Sequence, residues 1–222
     1  MKILVACECS GRVKMAFRAI GHDAWSCDIK PSEIANDKYH YQEDIFNIID
    51  RQWNLMIAHP PCTYLTQAGI RWFNETRYGD KARERKRLRE EALLFVKKLW
   101  DSNIDKICIE NPMGYLNNHF KKPSQIIQPY YFGEEERKRT CLWLKNLPNL
   151  RYGQGIQLYL GEINHPNPTN IVKPKVYAIS KSGKKFYGED IAFYKTKDRE
   201  ELSTMRSRTF QGIANAMANQ WG

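Results

Sequence analysis

Residues 55–62 read Leu-Met-Ile-Ala-His-Pro-Pro-Cys, an apolar run closed by a histidine, two prolines and a thiol. Proline brings no N–H to a hydrogen-bond ladder and its ring fixes φ, so a strand built on the apolar run must leave its sheet at Pro60. In an open α/β sheet, ligands gather outside the carboxyl ends of the strands, which puts Cys62 at a cleft. A turn with an incidental cysteine is the competing reading of Pro-Pro-Cys alone. A second apolar run, Lys106-Ile107-Cys108-Ile109, is followed by Glu110-Asn111-Pro112. A thiol and a carboxyl at the mouths of two short buried strands form a candidate nucleophile and proton-handling pair.

Strand-like and helix-like segments alternate around these runs, which predicts an α/β fold: a mostly parallel sheet with helices on both faces. Lys2 to Ala6 reads as the first strand. Val13, Ala16, Phe17 and Ile20 repeat at helical spacing, with Gly21 placed to end that helix. Asp23 to Ile29 reads as a second strand and Tyr39 to Ile45 contains a short third. Leu88, Ala92, Phe95, Val96 and Leu99 make one apolar helical stripe, and Thr140 to Leu144 reads as a further strand. From Gly153 to Met205 the chain turns rich in Lys, Gly, Pro and Tyr, with a hairpin signal over Val176–Ile179, Ser182-Gly183 and Phe186-Tyr187. Phe210, Ile213, Ala214, Met217, Ala218 and Trp221 then form a stripe that must dock. The expected organisation is a core over 1–152, a small β-rich region over 153–205 and a helix over 206–222 that packs back on the core.

The formal net charge of the 222 residues is +10, which favours a polyanionic partner. The six cysteines do not resemble a disulfide framework, since Cys27, Cys62, Cys108 and Cys141 sit in or at apolar runs. With no secretory signal or membrane-length apolar segment, a reducing cytoplasm and no membrane partner are expected. Cys7-x-Cys9 has no second pair at finger or ribbon spacing, so no metal is expected. Nothing in the sequence implies an obligate protein partner.

The first strand runs into Cys7-Glu8-Cys9-Ser10-Gly11 and then a helix, a turn that lets a ligand approach backbone amides at the helix start. Asp28 ends the second strand, where such folds set an acid against ribose hydroxyls, and Asp44 follows the third. Ordinary capping is the alternative for each aspartate; together they outline a nucleoside site.

The order of Gly11, Asp28, Asp44, Pro60-Pro61-Cys62, Glu110-Asn111-Pro112, Arg137-Lys138-Arg139 and the last helix resembles the cytosine-5 DNA methyltransferase family, most of all its small phage-type members. The resemblance covers nearly the whole chain and is weakest over 153–205. It implies a Rossmann-like S-adenosylmethionine-dependent methyltransferase fold. It also implies that Cys62 adds to carbon 6 of a flipped-out cytosine, that Glu110 serves ring nitrogen 3 and the exocyclic amine, and that Arg137 and Arg139 brace the base and the loop. S-adenosylmethionine would meet Glu8, Ser10, Gly11, Asp28, Ile29, Asp44, Pro60 and Asn215. The chain departs from the family's pattern at Glu8 and Cys9 in the first motif, at Pro112, at Glu135, and around Asn215.

A base in a duplex must be extruded before it can react, which costs a few kcal/mol and demands backbone contacts. Residues 63–91 resemble the family's mobile loop, with Gly69 and Gly79 as hinges. Arg71, Arg77 and Lys81 are its candidate DNA contacts, whereas Arg85 to Arg89 read equally as a solvated helix face paired with Glu84, Glu90 and Glu91. Lys175, Lys184 and Lys185, set among Tyr and Phe with Lys173, Lys181, Lys195 and Lys197, suit phosphate contact and stacking. The rival readings are a related enzyme acting on RNA, on a free cytosine nucleotide or with a non-methyl donor, and a non-catalytic DNA-binding module.

Overall fold

A computed structural model describes residues 1–152, 171–187, 198 and 207–222. The chain divides into two compact units: Met1–Cys9, Asp23–Ile126 and Arg139–Asn149 form one, and Ser10–His22, Ile127–Lys138 and Leu150–Gly222 the other.

The first unit is built on a sheet. Its strands are β1 (Lys2–Ala6), β2 (Asp23–Asp28), β3 (His40–Gln42), β4 (Leu55–Ala58), β5 (Lys106–Pro112), β6 (Gln125–Ile127) and β7 (Thr140–Lys145), in the spatial order β3-β2-β1-β4-β5-β7-β6. β1 to β5 are mutually parallel, while β7 runs antiparallel to β5. The fold is therefore α/β with a mostly parallel mixed sheet, compatible with a Rossmann-like arrangement. The order reverses between β1 and β4, the switch point at which such sheets bind ligands. β4 is fully buried and stops at Ala58, as the prolines require.

On one face of this sheet, Leu4, Ala6, Met56, Ala58, Ile107 and Ile109 join a core with helix α3 (Asp80–Trp100). The buried line of α3 is Ala82, Leu93, Val96 and Leu99, with Ala92 and Phe95 at its margin. Leu93, absent from the predicted stripe, is among the buried residues of that line. The alternate residues Ile3, Val5, Leu55, Ile57 and Cys108 are also fully buried, so these strands are apolar on both sides.

In the second unit, α1 (Arg12–Ala19) buries Val13, Ala16 and Phe17. Ile20, predicted to continue that stripe, instead caps the helix and is 46% exposed, and Gly21 turns the chain at φ +90°. A C-terminal helix, Gln211–Trp221, buries Ile213, Ala214, Met217, Ala218 and Trp221 against α1 and a turn over Pro129–Phe132. The backbone of Phe132 comes so close to Gly212 that a Cβ there would sit 3.1 Å from its carbonyl carbon. β8 (Ala178–Ile179) and β9 (Lys185–Phe186) form the predicted antiparallel hairpin, with Gly183 at φ +79° in its turn. Within the expected recognition region, Lys195 and Lys197 lie outside the described residues.

Candidate active site

The pairing of β4 with β5 sets Ala58 opposite Ile109, so the next residues along, His59 and Glu110, share one side of the sheet. His59 Nδ1 lies 3.2 Å from Glu110 Oε2, and the two side chains are only 7% and 12% exposed. Glu110 is not in the turn that follows β5. The strand runs on to Pro112 because β7 pairs with it, Glu110 opposite Leu142 and Pro112 opposite Thr140. Sequence reading stopped the strand at Ile109 because it could not foresee an antiparallel partner on that edge. One residue further, Asn111 is buried and its Nδ2 donates to the Pro60 carbonyl at 2.8 Å, tying the proline turn to β5.

The loop that carries Cys62 is tied down at a second place. The Cys62 carbonyl accepts from the N–H groups of Leu65 (2.9 Å) and Thr66 (3.0 Å), closing a tight turn. Thr66 then bridges to Gly114, and Tyr115 N–H donates to the Leu65 carbonyl at 2.7 Å. A Cβ on Gly114 would overlap the Leu65 carbonyl oxygen and lie 2.9 Å from its carbon and 3.0 Å from Thr66 Cα. Only glycine lets these two backbones meet. Cys62 is half-buried, unlike Cys27, Cys108 and Cys141, which are buried.

Two arginines brace the same loop from α3. Arg85 lies over the rings of Tyr64 (4.9 Å) and Phe73 (5.2 Å), and its Nη2 donates to the Thr63 carbonyl at 3.3 Å. Arg89 lies over Phe73 and over Tyr115 (4.6 Å), and burial holds its guanidinium below the usual arginine range. Arg83, Lys86 and Arg87 instead form exposed ion pairs with Asp80, Glu75, Glu84 and Glu91. The solvated-face reading of 85–89 fits Lys86 and Arg87, whereas Arg85 and Arg89 turn toward aromatic rings of the chain itself. The segment expected to be a mobile loop over 63–91 is α3 from Asp80 onward. Before it, Arg71 lies over Trp72 (4.8 Å) and Arg77 over Tyr78 (5.4 Å), and the Trp72 and Tyr78 rings meet at a tilt of 44° with centroids 4.9 Å apart, with Ile70, Trp72, Arg71, Arg77 and Lys81 exposed.

At the ends of β1, β2 and β3, Asp28 Oδ1 accepts from Lys30 N–H and Asp44 Oδ1 from Phe46 N–H, each at 2.9 Å. The capping reading is therefore seen for both. Their charges also converge: burial pushes the Cys7 thiol up, and Asp28 and Asp44 push it further. Cys7 itself holds φ +58°, a left-handed backbone that glycine would adopt without strain. Burial pushes the Cys27 thiol up to about 12. Glu8 is buried, its N–H on the Cys27 carbonyl, and Ile29 is 77% exposed just beyond Asp28.

The remaining predicted residues are spread over both units. Arg139 is exposed just before β7, and its charge reaches Cys141, which Glu110 also reaches. In the second unit, Arg137 lies over Tyr187 (4.3 Å), Ser10 Oγ accepts from Arg12 N–H (3.4 Å) beside the left-handed Gly11, and exposed Asn215 accepts from Gln211. Lys175, Lys184 and Lys185 are exposed on or beside the hairpin. An open cavity of about 600 Å³ lies at the opposite, amino ends of β1, β4 and β5, lined by Met1, Trp53, Asn54, Ile104 and Lys106, and it holds none of the residues singled out above. Among the described residues, no cluster of His, Cys, Asp or Glu could hold a metal, and no helix is long and apolar enough to cross a membrane.

His59 and Gly114 are additions to the site that no local pattern in the sequence marks, and Arg85 and Arg89 join it through aromatic packing instead of either role expected for 85–89. No family model matches the chain, and no curated protein matches it either.

Proposed function

We propose that this chain transfers a methyl group from S-adenosylmethionine to carbon 5 of a cytosine extruded from DNA. One observation carries the reading. The loop bearing Cys62 leaves β4 beside the switch point, Glu110 stands on the neighbouring β5, and the two segments are tied together at Pro60–Asn111 and at Thr66–Gly114.

The chemistry needs both side chains. As a thiolate, Cys62 forms a bond from its sulfur to carbon 6, and the displaced electron pair runs through the ring to nitrogen 3, which takes a proton from the Glu110 carboxyl. Carbon 5 becomes an enamine carbon able to attack an electrophile. Loss of the carbon-5 proton to water then re-forms the ring double bond, releases the Cys62 thiolate and returns the nitrogen-3 proton to Glu110.

The residues at the ends of β1, β2 and β3 fit the donor: Asp28 and Asp44 bring negative charge to one turn, suited to hydroxyls and a cationic ligand, and exposed Ile29 offers apolar surface to a flat ring. Buried Glu8, which follows β1, would complete that site. Bound there, S-adenosylmethionine supplies the electrophilic methyl group. The exposed arginine–aromatic stack of Arg71, Trp72, Arg77 and Tyr78 supports a nucleic acid partner, since such stacks meet both phosphates and bases.

DNA containing 5-fluorocytosine tests the reading, because fluorine at carbon 5 blocks the last elimination. With donor present, the wild-type protein should form an adduct that survives denaturation, and Cys62→Ala should not. A wild-type protein that shifts DNA in a gel yet never forms the adduct would be a binding module instead.

A further inference from the structure

His59 stands where no role has yet been given to it, and its environment is unusual for a histidine that merely caps a strand. Its Nδ1 faces Glu110 Oε2 at 3.2 Å, while its Nε2 is buried with no hydrogen-bond partner among the described residues. With the exchangeable proton of Glu110 on its other oxygen, Oε2 is an acceptor, so Nδ1 carries the proton in this contact. A purely structural bond at this point would be met by a side chain with no buried nitrogen to spare. A native fold that keeps such an orphan atom calls for an explanation.

We infer that His59 is a positioning residue for Glu110: its Nδ1–H grips Oε2 and fixes the orientation in which the carboxyl meets its substrate. The inference deepens the proposed function and rests on it for its kinetic readout. Among the described residues, the titratable groups that feel the charge of Glu110 include Cys108 on β5 and Cys141 on β7, which Arg139 also reaches. None of them is altered by changing His59. Removing a hydrogen bond to the charged form of a carboxyl favours its neutral form, so without His59 the titration of Glu110 moves to higher pH.

The test compares wild type, His59→Leu, which removes the donor, and His59→Asn, whose Nδ2 can stand in for Nδ1–H. On cytosine-containing DNA, His59→Leu should lower kcat about a hundredfold, the scale of a misplaced reacting group, with KM for DNA little changed. His59→Asn should recover most of the loss. Separately, carbon-13 NMR of glutamate-labelled protein without DNA, with Glu110→Gln for assignment, should show the Glu110 titration moved up in His59→Leu and restored in His59→Asn. Unchanged kcat and an unmoved titration in His59→Leu would overturn the inference. If the wild-type protein makes no 5-methylcytosine, the proposed function fails, and the titration alone decides whether His59 governs Glu110.

Discussion

Replacing Gly114 with alanine should loosen the loop that carries Cys62 without touching any group that does chemistry. The new Cβ would overlap the Leu65 carbonyl oxygen and lie 2.9 Å from Leu65 C and 3.0 Å from Thr66 Cα. These are backbone atoms with no flexible end to swing aside, so Leu65 and Thr66 must retreat by about half an ångström or more to regain ordinary contact distance. Overpacking of this kind costs about 1–3 kcal/mol. The 2.7 Å bond from Tyr115 N–H to Leu65 stretches with it, at a further ~1 kcal/mol. Alanine's smaller unfolded-state entropy returns only about 0.4–1 kcal/mol. The net is a loss of about 1–4 kcal/mol, which moves a urea midpoint down by about 0.5–2 M for a slope near 2 kcal/mol/M. Equilibrium unfolding in urea reads the stability, and the alkylation rate of Cys62 reads the loop. Gly69→Ala is the comparison in the same loop: its Cβ would meet Arg85 Nη2 at 3.1 Å, a side-chain atom that can give by a few tenths of an ångström where backbone cannot, so it should cost less than Gly114→Ala. If Gly114→Ala unfolded at the wild-type midpoint with Cys62 alkylated at the wild-type rate, the tie between the two loops would not exist as described.

Other consequences follow from the same geometry. Alkylation at pH 8, followed by peptide mass mapping, should label half-buried Cys62 first; Cys7, Cys27, Cys108 and Cys141, whose thiols burial pushes up, should stay unlabelled until the protein unfolds, and Cys27 should gain thiolate only as pH approaches about 12. Arg85→Ala removes stacking on two rings and a bond to Thr63, and should cost about 1–2 kcal/mol in thermal or urea melts. Arg87→Ala, which breaks only exposed ion pairs, should leave the melting transition where it is in wild type. Arg71→Ala and Arg77→Ala should each weaken DNA binding across sequences and flatten its salt dependence by about one unit of slope, as fluorescence anisotropy over a salt series would record.

Sheet and helices were largely legible because their signals are local. Proline after Ala58, unbroken apolar runs at β1, β4 and β5, and the stripe from Ile213 to Trp221 each constrain their own few residues. Partnership was not legible. That Glu110 lies within β5 depends on β7 pairing in reverse, and that His59 faces it depends on the register Ala58–Ile109, which no local pattern encodes. Gly114 is similar: glycine after Pro112-Met113 reads as an ordinary turn, and only the approach of Leu65 from far along the chain makes it obligatory. A signal for Arg85 and Arg89 did exist, since residues four apart on α3 share a face with Ala92. The run of charges around them hid which arginines turn toward aromatic rings and which toward glutamates.

The most direct test of the account is nucleoside mass spectrometry of DNA from cells that express the protein, against cells that express Cys62→Ala. The account predicts 5-methylcytosine in the first and none above background in the second. Unmodified cytosine in both, or a methyl group on the exocyclic nitrogen instead of carbon 5, would contradict it.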